Sequence, residues 1–250
     1  MDELQLLIDL HKHAQRQGPG ADAETLRALD LTRLDRTTPL KIADIGCGTG
    51  ASTLMLAQHL NAEITAVDFL QEFLDILNDR AASLELQDKI TPLCCSMDNL
   101  PFEAQEYDVI WSEGAIYNIG FAQGIKEWKR YLKKEGIMAV SEITWTSASP
   151  PEEIRQHWES EYPEIDTASS KFAILEQSGF SALGYFVLPE YCWLENYYRP
   201  LQNSFKDFLA RNGDSKEARA IVEAEEREIE LHEKYSNCYS YGVYIARKVE

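Results

Sequence analysis

The sequence lacks any apolar run near the roughly 20 residues that cross a bilayer, which argues against a membrane-spanning helix. Its first residues, Met1-Asp2-Glu3-Leu4, are acidic where a signal peptide carries basic residues, so secretion is not expected. Cysteines are few. The five at 47, 94, 95, 192 and 238 form no Cys-x-x-Cys pair, and the adjacent Cys94 and Cys95 would point to opposite faces of a strand. An odd count without metal spacing reads as reduced thiols in a cytoplasmic protein. There is no His-x-x-x-His and no aligned acid cluster, so no metal is expected. Basic residues are also scarce: 24 Lys and Arg face 42 Asp and Glu, for a net charge of −18. Nucleic-acid binding draws on a basic face, so DNA and RNA are disfavoured as partners. Repeats, low-complexity segments and clear linkers are absent too, which leaves residues 1–250 as one domain.

What is present is an alternation. Apolar residues make up 44% of the chain, enough for a full core. Leu4, Leu7, Ile8, Leu10, His11 and Ala14 recur at helical spacing and predict a helix over 3–16, which Gly18-Pro19-Gly20 breaks before a second helix at 22–31. Strands are then predicted at 41–45, 63–67, 89–94, 107–111 and 136–144, with helices at 51–60, 70–83 and 121–132 among them. Such a rhythm implies a parallel sheet with right-handed crossovers. Beyond Thr144 the pattern predicts a helix from Pro150-Pro151, a helix at 171–177, a strand at 180–188, two long helices over 190–212 and 214–235, and a last strand at 239–247. The expected fold is α/β, a doubly wound, Rossmann-like seven-stranded sheet whose last strand is antiparallel. Residues 1–39 would form N-terminal helices or a lid, 40–188 and 238–250 the core, and 189–237 a helical cap.

Three segments at the ends of the first three strands carry the chemistry. In Asp44-Ile45-Gly46-Cys47-Gly48-Thr49-Gly50, three glycines at alternate positions allow a tight strand-to-helix turn and close approach of a ligand to the backbone. A dinucleotide fingerprint would be G-x-G-x-x-G; here the spacing is G-x-G-x-G, and Asp44 two residues earlier suits an ammonium better than a pyrophosphate. Asp68 closes the second strand 18 residues after Gly50, placed to accept from ribose hydroxyls. After the third strand comes Ser96-Met97-Asp98-Asn99-Leu100-Pro101-Phe102, with an acid for an adenine amino group and an apolar wall.

Together these segments resemble the class I S-adenosylmethionine-dependent methyltransferases, and within them the branch with the ubiquinone/menaquinone-biosynthesis and related small-molecule enzymes. The resemblance is strong over about 40–145 and architectural elsewhere. It implies S-adenosyl-L-methionine as cofactor and S-adenosyl-L-homocysteine as product. It implies that Asp44 and the loop (Gly46, Cys47, Gly48, Gly50) hold the methionyl part, Asp68 the ribose, Met97 and Asp98 the adenine, that Glu113 lies near the methionyl end, and that Phe69 and Ser96 also belong to the cofactor site. Where this branch often carries Asp, the chain has Ser96.

Methyl transfer from a sulfonium is an in-line displacement in which protein groups align the partners. Ligands bind beyond the C-terminal ends of such strands. That selects Glu113, Tyr117 and Asn118 after the fourth strand and Glu142, Thr144 and Trp145 on the fifth. Tyr117 is the candidate for positioning the acceptor and Glu142 the candidate base. The acceptor would be a small molecule methylated on O, N, C or S, and a second copy of the chain is a candidate partner. His11 and His13 sit on a helix that could fold over the cofactor. Tyr191, Trp193, Tyr197, Tyr198, Phe205 and Phe208 could cap an acceptor pocket, and Glu223–Glu230 reads as a solvated helix face. The competing readings are a cofactor-binding partner or sensor without turnover, and an NAD(P)-dependent oxidoreductase, which the glycine spacing opposes.

Overall fold

The computed structural model describes residues 3–249; Met1 and Asp2 of the acidic N-terminus lie outside the described residues. Two helices, α1 (Glu3–His11) and α2 (Asp22–Thr32), precede the sheet. The alternating part runs β1 (Leu40–Ile45), α3 (Ala51–His59), β2 (Ala62–Asp68), α4 (Gln71–Ser83), β3 (Ile90–Cys94), β4 (Tyr107–Ser112), α5 (Phe121–Trp128) and β5 (Leu132–Trp145). The rest is α6 (Glu152–Glu161), β6 (Asp166–Thr167), α7 (Ala168–Gln177), β7 (Phe180–Val187), α8 (Glu190–Trp193), α9 (Arg199–Arg211), α10 (Lys216–Tyr235) and β8 (Tyr239–Lys248).

The main sheet has the order β3-β2-β1-β4-β5-β8-β7. Strands β1 to β5 pair in parallel, and β8 lies antiparallel between β5 and β7. The expected architecture is therefore present, with one addition. The two-residue β6 pairs with Thr144 and Trp145 at the end of β5, making eight strands; a pair of residues is too short to leave a periodic signature. Alternate residues of β1 serve opposite layers: Ile42 joins the core under α2 and α3, while Ala43 and Ile45 join the core under α5 and α7. The chain steps outward from β1 to β3 and then returns to the other side of β1 at β4. A crevice opens at this reversal, beyond the C-terminal ends of β1 and β4.

Four expected elements differ in extent or continuity. The helix predicted over 3–16 stops at His11. The Arg80 guanidinium donates to the carbonyls of Ala14 (3.0 Å) and Gln15 (3.1 Å), and the Gln17 amide donates to those of His11 (3.3 Å) and Ala14 (3.2 Å). These carbonyls are thus held by side chains rather than by a continued helical ladder. Residues 12–20 form an irregular strap across the loop after β1. Likewise α5 stops at Trp128, and β5 begins at Leu132, not Gly136; Glu135, at φ 62°, lies in a bulge that shifts the β4–β5 register. Finally, the helix predicted over 190–212 is interrupted by a π-turn, Leu194–Tyr198, between α8 and α9.

The segment 189–237 packs its aromatic residues inward. Trp193, Tyr198, Phe205 and Phe208 are buried in the main core. Its acidic run is not wholly solvated: Glu225 and Glu228 are half-buried, and Glu228 accepts from the Tyr198 hydroxyl at 2.8 Å. Ser215 caps α10 by accepting from the Ala218 amide at 3.3 Å. Ser215→Ala is expected to cost about 1 kcal/mol and to lower the melting temperature by about 2–4 °C, read by circular dichroism.

Candidate active site

The loop after β1 passes through left-handed backbone at Gly46 (φ +75°), Gly48 (+55°) and Gly50 (+90°). A Cβ on Gly46 would overlap Ala115, and one on Gly50 would overlap Leu77, so these two positions have neither the conformation nor the room for a side chain. The loop is tied to the end of β2. The Gly46 and Cys47 amides donate to the Val67 carbonyl at 2.8 and 2.9 Å, and the Gly48 amide donates to Asp68 Oδ2 at 2.8 Å. Asp68 Oδ1 accepts from the Leu70 amide at 3.0 Å, and burial pushes the carboxyl up.

Over the loop lies a cavity of about 720 Å³. Gly46, Cys47 and Gly48 line it beside Asp68 and Phe69; Ser96, Met97 and Asp98 line it beyond β3; Glu113 and Tyr117 line it beyond β4. Phe69 is 65% exposed. Burial, with Asp44 and Asp68 nearby, pushes the Cys47 thiol up, so it packs as a protonated group.

Three of the expected residues lie off the cavity wall. Gly50 is under the loop against Leu77. Asp44 is fully buried beneath the loop, where its Oδ2 accepts from Ser52 (2.8 Å) and Thr53 (2.6 Å) at the start of α3. Its Oδ1 has no hydrogen-bond partner among the described residues. Burial pushes this carboxyl up to about 7, with Glu113 adding to the rise and the two hydroxyls opposing it. Asp44 therefore braces the loop from behind. Glu142, expected as a base, is buried on β5, where Lys171 Nζ lies 2.7 Å from its Oε1 and also donates to the Glu164 carbonyl at 2.7 Å. Burial pushes Glu142 up against the pull of that ammonium. Committed to Lys171 and absent from the cavity wall, it is a structural group rather than a base facing the cavity.

Glu113 is the most elaborately held acid. Its Oε2 lies 2.9 Å from Arg16 Nη1, and its Oε1 accepts from Thr25 (2.8 Å) and from the Trp111 indole (2.9 Å). Arg16 belongs to the strap, as does Gln17, whose side-chain oxygen accepts from the Thr49 amide (2.9 Å) and hydroxyl (3.1 Å). Arg80 donates to the same Thr49 hydroxyl at 2.7 Å. Strap, glycine loop and α4 are thus one network. Sequence reasoning missed Arg16, Gln17 and Arg80. Arg16 lies 97 positions from Glu113, and no local pattern marks such a pair. Of the aromatic residues expected to cap the pocket, Tyr197 of the π-turn reaches the wall, whereas Tyr191 donates to Glu24 at 3.0 Å; Trp145, expected at the end of β5, packs on Tyr239. His11 also lines the cavity, its ring stacked on that of Tyr197 at 6.3 Å. Tyr117 is 38% exposed overall, but desolvation of its phenol pushes the group up, so it is protonated and available as a donor rather than a phenolate.

This fold is the one seen in solved S-adenosylmethionine-dependent methyltransferases. Residues 42–136 match the family model described as a methyltransferase domain. The structure of an S-adenosylmethionine-dependent methyltransferase from Geobacter sulfurreducens, in complex with S-adenosyl-L-homocysteine, superposes with a TM-score of 0.84 at 17% identity, covering 97% of each chain. Among curated proteins, methyltransferase GfsG of Streptomyces halstedii is 29% identical over 44% of this chain and 40% of its own length. The chloroplastic tocopherol O-methyltransferase of Arabidopsis thaliana is 28% identical over 80% of this chain and 53% of its own. The chain thus spans about half, or less, of these curated relatives.

Two outcomes follow. Native Asp44 binds its proton more tightly than the exposed residue of the unfolded chain, whose reference value is 3.8. Its contribution to stability is complete below about pH 4 and is lost as pH rises through about 7. Urea titrations of wild type and Asp44→Asn should therefore diverge between these limits, with the wild type losing up to about 4 kcal/mol relative to the variant. Lys171→Met strands the Glu142 carboxyl and is expected to cost about 3–5 kcal/mol, while Lys171→Met with Glu142→Leu recovers most of that loss in the same titration.

Proposed function

We propose that the chain transfers a methyl group from S-adenosylmethionine to a small molecule and releases S-adenosylhomocysteine. The observation that carries this reading is the cavity at the β1/β4 reversal, bounded by a loop that excludes side chains and by Asp68 at the end of β2. The residues present fit the cofactor. Asp68 keeps lone pairs beyond its two amide partners and would accept from ribose hydroxyls. Ser96, Met97 and Asp98 would receive the adenine edge, with exposed Phe69 across its face. Arg16 and Glu113, already paired at 2.9 Å, present both charges to the methionyl end. Buried Asp44, with one oxygen unpartnered, adds a negative potential beneath the loop that suits an ammonium.

When bound, the cofactor supplies an electrophilic methyl group on a sulfonium. The chain's own part is alignment and exclusion of water. Helix α1 and the strap cover one side of the cavity through Leu4, Leu7 and Ile8. The protonated Tyr117 hydroxyl, with Asn118 beside it on the wall, would orient an acceptor by hydrogen bonds. Every group invoked comes from one chain, so the reading needs no second copy. The five free cysteines suit a reducing compartment, and we assign the activity to the cytoplasm.

Calorimetry is expected to show S-adenosylhomocysteine binding with a Kd in the micromolar range, weakened about 10- to 100-fold in Asp68→Ala. Failure of the wild type to bind either form of the cofactor would overturn the reading. NADH should give no saturable signal, and binding without turnover over a broad acceptor panel would favour a sensor.

A further inference from the structure

The cavity has an uneven charge inventory. Among the described residues that line the cavity, the basic groups are Arg16 and His11, while Asp68, Asp98 and Glu113 are acidic. Arg16 is committed to the methionyl end and its neighbours there: it is 2.9 Å from Glu113, 3.0 Å from Asp22 and 3.2 Å from the Thr25 hydroxyl. The aromatic walls have carboxylates behind them. Burial first, and then Glu225 and Glu228, push the Tyr197 phenol up; Glu228 and Glu142 act in the same sense on Tyr117. A carboxylate or phosphate on the acceptor would enter this site without a free countercharge, which disfavours it. An ammonium would meet phenol faces and a negative field.

An ammonium is not a nucleophile until it loses a proton, and the same cavity holds a group to take it. His11 Nε2 lies 3.5 Å from Glu225 Oε1. A carboxylate there favours the proton on Nε2 and leaves the lone pair on Nδ1. Nδ1 is buried and has no hydrogen-bond partner among the described residues. The ring is fixed from one side by its stack on Tyr197, at 6.3 Å and 13° between planes. The charged groups facing it from the packed elements are Glu225 and Glu228 of α10.

Resting on the methyltransferase reading above, we propose that the acceptor is an amine and that His11, oriented by Glu225, receives its proton. The ammonium gives one proton to His11 Nδ1. The freed nitrogen lone pair forms the N–C bond to the methyl carbon as the C–S bond breaks, and that bond's electron pair stays on sulfur. Tyr117 and Tyr197 hold the amine, His11 is the catalytic residue, and Glu225 is a positioning residue.

The test begins with protein saturated with S-adenosylhomocysteine. Calorimetry over primary and secondary amines, aliphatic and aromatic, each matched with its isosteric carboxylate and with phosphate esters, should show at least one amine binding about 10-fold or more tightly than its carboxylate. Equal or reversed affinity, or no amine binding to the loaded protein, overturns the proposal. Failure of S-adenosylhomocysteine itself to bind overturns instead the reading beneath it. With the amines that bind, the product assay should show N-methylation; turnover confined to carboxylates, phenols or carbon acceptors overturns the proposal. In His11→Gln, kcat for the amine should fall about 100-fold with KM within about threefold and S-adenosylhomocysteine affinity unchanged, which also shows that the variant folds. In His11→Gly, added imidazole should restore part of the loss. Glu225→Gln should lower kcat about 10-fold in the wild type and have no further effect in His11→Gly, a non-additivity that a merely structural role would not give. Unchanged kcat in His11→Gln overturns the assignment of the base.

Discussion

Between Ile45 and Ala51 the chain turns from strand to helix with no space for a side chain at two of its glycines. That constraint orders the rest of the molecule. Because Gly46 meets Ala115 and Gly50 meets Leu77, the loop is pressed between the segment after β4 and helix α4. Because its amides are held by Val67 and Asp68, it is also fastened to β2. The crevice that the strand order creates between β1 and β4 thus acquires a rigid floor, and a ligand can approach the backbone there more closely than it could a side chain. Asp44 completes this floor from below through the two hydroxyls of α3.

A second layer depends on the first. The strap of residues 12–20 is held by side-chain contacts with the loop region rather than by its own helix. Gln17 binds the Thr49 amide, Arg80 binds Thr49 together with the carbonyls of Ala14 and Gln15, and Arg16 reaches across to Glu113. This ties the N-terminal segment to the floor of the cavity and sets α1 over it, bringing His11 to the wall. The same strap links the two ends of the site. Arg16 pairs with Glu113 near the loop, while His11, Tyr117 and Tyr197 line the cavity elsewhere.

The helical segment before β8 divides its work by position. Most of its aromatic residues are consumed in holding it to the sheet: Trp193, stacked on His232 and Tyr241, and Tyr198, bonded to Glu228, are core groups. One turn of π-helix presents Tyr197 to the cavity. An aromatic-rich stretch and an aromatic-lined pocket are therefore different things here, and the spacing of the residues does not separate them.

The parallel sheet, its antiparallel last strand and the cofactor-facing loop follow from local order in the chain. Strand and helix periods are short-range properties, and the alternate glycines, Asp68 and Met97-Asp98 each stand at the end of a strand that the pattern itself marks. Groups whose roles depend on distant partners escape such a reading. Glu142 looked like a base at a strand end, yet Lys171, 29 positions away, turns it into half of a buried pair. Asp44 sits in the loop motif, yet its carboxyl faces α3, not the cavity. Arg16 meets Glu113 across 97 residues, and the first helix ends at His11, with Arg80, on α4, holding the carbonyls of Ala14 and Gln15 beyond it. The sequence by itself determined the order of the layers and the place of the cofactor crevice, because those rest on periodicity and backbone freedom. The tertiary structure decided which acids are structural and which line the cavity, because burial and pairing are set by residues far apart in the chain.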